Sequence, residues 1–108
     1  MQAGDAWAYL IIWEFRPKAG MERMFEQTYG PGGIWAEFFR RGEGYVRTEL
    51  THDANDPGRY LTLDFWISRE SYEQFRDNNL VEYGEIDQLC EEMTQAEVEI
   101  GRFERLKS

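Results

Sequence analysis

The sequence predicts an α+β fold in the order strand, helix, strand, strand, helix, strand, with helices on one face of a four-stranded antiparallel sheet. Three observations lead there. Apolar residues alternate over Trp7 to Arg16, recur at helical spacing from Met21, and alternate again in two segments on either side of a turn rich in Asp, Asn, Pro and Gly. A period of two marks strands and a period near 3.6 marks helices. The 108 residues suit one hydrophobic core, so a single domain over 1–108 is expected, with its core at about 7–104.

In the first strand Trp7, Tyr9, Ile11, Trp13 and Phe15 alternate with Ala8, Leu10, Ile12, Glu14 and Arg16. Both faces are mostly apolar. Pro17, which has no amide hydrogen for a ladder, stops the strand, and Gly20 makes the turn. A helix follows with Met21, Met24, Phe25, Thr28 and Tyr29 on one side and Glu22, Arg23, Glu26 and Gln27 on the other. Gly30-Pro-Gly-Gly33 follows this helix rather than a strand, which makes it a breaker and not a phosphate-binding loop. Ile34, Trp35, Phe38 and Phe39 then predict a short, strongly aromatic helix ended by Arg40-Arg-Gly-Glu-Gly44.

Strands are expected from Tyr45 to about Thr51 and from Arg59 to Ile67, joined as an antiparallel hairpin through His52-Asp-Ala-Asn-Asp-Pro-Gly58. Ser68 is placed to cap the next helix, with Glu70 near its positive end and Tyr72 and Phe75 facing inward. Asn78-Asn79 interrupts it. A further helix from Leu80 to about Met93 turns Tyr83, Ile86, Leu89, Cys90 and Met93 inward. The last strand, Ala96 to Phe103, sets Val98 and Ile100 against a polar face of Glu97 and Glu99. With right-handed crossovers this order gives the ferredoxin-like βαββαβ arrangement.

Helices on one side leave the other face bare. On the third strand Leu61, Leu63, Phe65 and Ile67 occupy one face and Tyr60, Thr62, Asp64 and Trp66 the other. Large apolar side chains left in water each forgo roughly 1.5 to 3 kcal/mol. A homodimer joined through the first set is therefore expected, with a two-fold axis.

Composition narrows the classes of function. Hydrophobic residues make up 42% of the chain and Phe, Trp and Tyr 16%, which suits a folded core rather than disorder. A formal charge of −9 with scattered Lys and Arg argues against a nucleic-acid partner. The longest apolar run, Ala6 to Trp13, is far shorter than a membrane helix requires, so no membrane partner is expected. Met1 to Asp5 has neither a basic start nor an apolar core, so no secretory signal is expected and a cytoplasmic location is the default. One cysteine, Cys90, excludes an internal disulfide.

Candidate chemistry concentrates on one strand face. The only histidine, His52, sits beside Asp53 in the hairpin turn, where it reads as a solvated turn residue unless other ligands approach. Asp64 and Glu14 interrupt apolar strands. A carboxylate among aromatics is either paired, with Arg47 or Arg16, or has a raised pKa that suits it to proton transfer. Tyr60, Thr62, Asp64 and Trp66, with Trp35, Tyr72 and Tyr83 from the helices, are the residue types that build a pocket for a flat organic molecule. The same aromatics equally suit a plain core with tyrosine hydroxyls at its edge.

From Tyr9 to Phe103 the chain resembles the antibiotic biosynthesis monooxygenase superfamily of dimeric α+β barrels. The residues that carry the likeness are Trp13-Glu-Phe-Arg-Pro-Lys-Ala-Gly20 with Glu22 and Phe25, then Gly44-Tyr45, then Asp64-Phe-Trp-Ile-Ser-Arg-Glu-Ser-Tyr-Glu-Gln-Phe75. The resemblance implies a homodimer with a pocket between each sheet and its own helices. It also implies oxidation of an aromatic or quinone-like compound without metal, flavin or other cofactor, the substrate anion itself reducing O₂. Trp66 and Tyr72 match the tryptophan and tyrosine that relatives place in the pocket, and Asp64 is the candidate proton acceptor. Thr62 stands where the polyketide oxidisers carry an asparagine. The haem-degrading branch is disfavoured, because its strand-one asparagine is replaced around Glu14 or Phe15 and its haem-ligand histidine is Glu85. A dimeric binding or accessory protein without turnover is the alternative use of the same fold.

Overall fold

The computed structural model describes residues 6–106. The expectation of no secretory signal in Met1 to Asp5 lies outside the described residues. The elements run β1 (Tyr9–Pro17), α1 (Glu22–Tyr29), α2 (Ile34–Phe39), β2 (Tyr45–Asp53), β3 (Asp56–Trp66), α3 (Arg69–Asn78), α4 (Leu80–Cys90) and β4 (Thr94–Glu104), with one 3-10 turn at Glu91–Met93. The sheet has the order β2-β3-β1-β4 and every pairing is antiparallel. This is the predicted ferredoxin-like α+β fold, with β3 and β1 at the centre.

The local chemistry explains most boundaries. The side chain of Ser68 accepts a hydrogen bond from the Ser71 amide at 3.0 Å and caps α3. At Gly33, between α1 and α2, a side chain would press on the Thr28 carbonyl at 2.0 Å, so the break between the two helices needs glycine. The hairpin is tighter than the sequence suggested. Asp53 pairs with Asp56 around Ala54 and Asn55, and the Asn55 amide donates to Asp53 Oδ1 at 2.8 Å. Pro57, Gly58 and Arg59 fall where the register jumps, a place that tolerates a residue with no amide hydrogen.

The register divides the sheet into two faces. Tyr9, Ile11, Trp13 and Phe15 of β1 meet Trp66, Asp64, Thr62 and Tyr60 of β3 on the helix side. There Tyr9, Ile11, Phe15, Tyr60 and Trp66 join Phe25, Tyr29, Trp35, Phe38, Phe39, Tyr72 and Phe75 in the core. Several positions depart from the expected periodicity. Trp7 precedes the strand and turns to the outer face, its ring 5.1 Å from Phe65. Met24 of α1 and Leu89 of α4 were expected inward, yet they are 52% and 72% exposed, because Phe25, Tyr29, Ile86 and Cys90 already fill the contact line. No helix of the described residues is long and apolar enough to cross a membrane.

Candidate functional site

Between the helix-side face of the sheet and the helices lies a cavity of about 400 Å³, large enough for a small organic molecule. Its floor is polar: Thr48 from β2 with Thr62 and Asp64 from β3. One wall is aromatic, from Trp13, Phe15, Tyr29, Trp35 and Phe39. Tyr72 and Tyr83 line it from α3 and α4, and the charged side chains of Arg76, Asp87, Glu97, Glu99 and Arg102 complete it.

Asp64 is 9% exposed. Its Oδ1 accepts a hydrogen bond from Thr48 Oγ1 at 2.6 Å, and among the described residues it forms no ion pair. Arg16 is engaged by Asp56 at 2.7 Å, while Arg47 lies on the outer face against Glu49 and the Phe65 ring. The arginine pairing considered from the sequence is therefore not made. Burial pushes the Asp64 carboxyl up to about 6, against the opposing pull of the Thr48 hydrogen bond. Such a group is ionised at neutral pH yet accepts a proton readily. Glu14, the other carboxylate among strand apolars, is paired with Arg59 at 2.7 Å.

Tyr72 and Tyr83 keep their protons across the neutral range. Burial raises both, with the Arg102 cation opposing the rise at Tyr72 and Tyr72 itself adding to it at Tyr83. Each carries an arginine over its ring: Arg102 lies 5.4 Å from the Tyr72 centroid and Arg76 lies 5.6 Å from that of Tyr83. For Arg102 burial works against the charge, but hydrogen bonding to Glu99 and Tyr9 outweighs it and the guanidinium stays protonated. Glu97 is raised by burial and then by Asp87 and Glu91.

The residues singled out in the sequence separate into two groups. Trp35, Thr62, Asp64, Tyr72 and Tyr83 line the cavity. Trp66 and Tyr60 do not. Trp66 is 0% exposed behind Tyr72, Phe75, Phe39 and Tyr45, at centroid distances of 5.4, 5.6, 5.9 and 5.4 Å, so it backs the cavity wall. Tyr60 packs on Phe25 at 5.0 Å and donates its hydroxyl to Glu26. That bond, then burial, holds its phenol up to about 12. His52 is exposed, but the tighter hairpin puts it on β2 opposite Tyr60 rather than in the turn, its Nδ1 3.2 Å from the Asp53 carbonyl oxygen. The pattern reading passed over Thr48, although it is the cross-strand partner of Asp64, and Arg102, which reaches the site from β4 opposite Ile11.

Residues 8–82 match the family model for antibiotic biosynthesis monooxygenase. No curated protein matches the chain. Among solved structures, an antibiotic biosynthesis monooxygenase candidate from Deinococcus radiodurans superposes with a TM-score of 0.72 at 12% identity, over 93% of this chain and 94% of that one. A conserved protein from Methanosarcina mazei Go1 gives 0.68 at 13% identity, over 95% and 97%. SnoaB, a cofactor-independent oxygenase from Streptomyces nogalater, gives 0.61 at 16% identity, over 94% and 96%. At these identities the likeness is one of fold.

Proposed function

The chain belongs to the antibiotic biosynthesis monooxygenase family, and from that premise we propose that it is a cofactor-independent monooxygenase acting on a flat, electron-rich aromatic or quinone-like molecule. One observation carries the reading. A buried carboxyl with a pKa of about 6 lies on the floor of an aromatic-walled cavity of about 400 Å³. The cofactor-independent oxygenase among the structural neighbours supports it.

The chemistry needs a base and a shaped, dry surface. Asp64 takes a proton from an acidic methylene of the substrate, and the resulting carbanion passes one electron to O₂. Substrate radical and superoxide combine to form a C–O bond, and the peroxide anion receives the proton back from Asp64. Loss of water then leaves a carbonyl. Methylene plus O₂ becomes carbonyl plus water, and every electron comes from the substrate. Tyr72 and Tyr83, held neutral, donate hydrogen bonds to oxygen atoms on which charge develops, with Arg102 and Arg76 adding positive potential behind them. Trp13, Phe15 and Trp35 stack on the ring system, and Trp66 keeps Tyr72 in place.

Oxygen uptake by the purified protein with an anthrone probe, which carries the required methylene, tests the reading. Uptake that falls by about 10² or more in Asp64→Asn supports it. Binding of the probe with no uptake makes the protein a binding module instead. Activity unchanged in both Tyr72→Phe and Trp66→Ala sinks the assignment of these two residues. We further infer that the chain is one domain that works as a homodimer through the outer face of its sheet, where Val98 and Phe103 are 53% and 44% exposed. A sedimentation mass near that of one chain at micromolar concentration rejects the dimer.

A further inference from the structure

Tyr45 and Thr48 are three residues apart on β2, a spacing that sends two side chains to opposite faces of a regular strand. In this protein they share a face. The ladder runs Tyr45 to Trp66, Arg47 to Phe65 and Thr48 to Asp64, so Val46 is an extra residue with no partner opposite it. Such a bulge re-aims the side chains around it. Gly44, at φ 95°, leads the chain into it, and a side chain there would meet Ser71 Oγ at 2.6 Å. As a result the Tyr45 hydroxyl lies 2.7 Å from Thr48 Oγ1, and Thr48 Oγ1 lies 2.6 Å from Asp64 Oδ1.

Counting hydrogens fixes the direction of this line. An ionised carboxylate brings none and a threonine hydroxyl brings one. Thr48 therefore donates to Asp64, and Tyr45 must donate to Thr48. The Tyr45 O–H points at Thr48 Oγ1 and the Thr48 O–H at Asp64 Oδ1, and each bond strengthens the other. Thr48 is 4% exposed and lines the cavity. Tyr45 stands outside the lining, its ring held 5.4 Å from Trp66 and 6.0 Å from Phe39.

We propose that Thr48 and Tyr45 are positioning residues for Asp64: an ordered pair of hydroxyls, brought into line by the Val46 bulge, that pins Oδ1 to the sheet and leaves the other oxygen to act as the base. The proposal rests on the reading of Asp64 as the proton acceptor. The other polar and titratable groups that line the cavity with Asp64 are Thr62 from β3, Tyr29 from α1, Trp13 from β1, Trp35 from α2, Tyr72 and Arg76 from α3, Tyr83 and Asp87 from α4, and Glu97, Glu99 and Arg102 from β4. None of them is altered in the variants below, so a change in titration reports the hydroxyl line.

The test is an infrared titration of the Asp64 carboxyl, assigned by its loss in Asp64→Asn, run beside the pH profile of oxygen uptake with an anthrone probe. Removing a hydrogen bond to the charged form raises the pKa. Thr48→Val is expected to move the carboxyl midpoint and the acid limb of uptake upward by about one unit. Thr48→Ser restores both, and Tyr45→Phe gives a smaller shift in the same direction. In the Thr48→Val background Tyr45→Phe adds nothing, because the line is already cut. An unmoved midpoint in Thr48→Val, or independent and additive shifts, overturns the proposal. If Thr48→Val does not fold, Tyr45→Phe decides alone by its shift or lack of one. A carboxyl that shifts as described in a protein that oxidises no probe upholds the positioning and rejects the oxygenase reading. Uptake whose acid limb ignores Thr48→Val does the reverse.

Discussion

On its helix side the sheet is covered by aromatic rings that reach it from α1, α2 and α3, and Asp64, a carboxylate on the cavity floor, is held by a hydroxyl. On its outer side, the side chains of the same strands are mostly aliphatic or charged, with Phe65 and Phe103 among them, and several of the charges pair with one another. Glu14 bonds Arg59, Arg59 reaches Asp53 at 3.2 Å, and Arg16 bonds Asp56. Leu10, Ile12, Leu61 and Leu63 remain only half-buried. The contrast shows two opposite pulls: the Arg16 hydrogen bond holds Asp56 below the usual carboxylate range, whereas burial with no cation in contact raises Asp64. Glu14 has a cation beside it. Asp64, on the other face, has a raised pKa, and on that difference rests the proposal that chemistry belongs to the inner face and a partner to the outer one.

The contrast can be broken from either side. The largest effect is expected from Trp66→Ala, which opens a void under Tyr72 and costs about 3 to 5 kcal/mol by denaturant unfolding. A cost below 1 kcal/mol would mean the inner face is loosely filled.

Next comes the pH dependence of stability. The folded pKa of Asp64, about 6, lies above its ordinary 3.8, so between those values the folded state binds more protons than the unfolded state. Its contribution is full below about pH 4 and is lost as pH rises through about 6, a change of up to roughly 3 kcal/mol. Asp64→Asn should abolish that part of the profile and be the more stable protein at pH 7. If instead the variant is less stable at pH 7, the carboxylate has a counter-charge after all.

On the outer face, Leu63→Lys is expected to convert a dimer into a monomer in sedimentation while leaving the far-ultraviolet dichroism unchanged. A mass that does not change moves the contact elsewhere. The smallest effect is expected from Ser68→Ala, which removes the α3 cap and about 1 kcal/mol of stability without moving the pH profile of uptake.

The element order was legible because alternation and helical spacing are local. Ser68 could be read as a cap, and Pro17 as a stop, from residue type alone. Depth was not legible. Trp66 and Asp64 alternate on one face, yet Phe39 and Phe75 close over the first while the second stays at the cavity floor, and no strand pattern encodes which helix covers which position. Phase shifts were hidden for a related reason. The bulges at Val46 and Ile100 each insert one residue into a run that still looks alternating, so Thr48 could not be set beside Tyr45, nor Arg102 beside Tyr72, without the register. The turn at Ala54 and Asn55 was overestimated because Pro57 and Gly58 look like loop residues, although they belong to a bulged strand.

The measurement that bears most directly on the account is the pH profile of oxygen uptake by metal-free protein with an anthrone probe, in the native chain and in Asp64→Asn. The account predicts an acid limb near pH 6 in the native chain, and in the variant uptake reduced by about 10² to 10⁴ with that limb gone. A native limb far from 6, or a variant that retains both the rate and the limb, would contradict it.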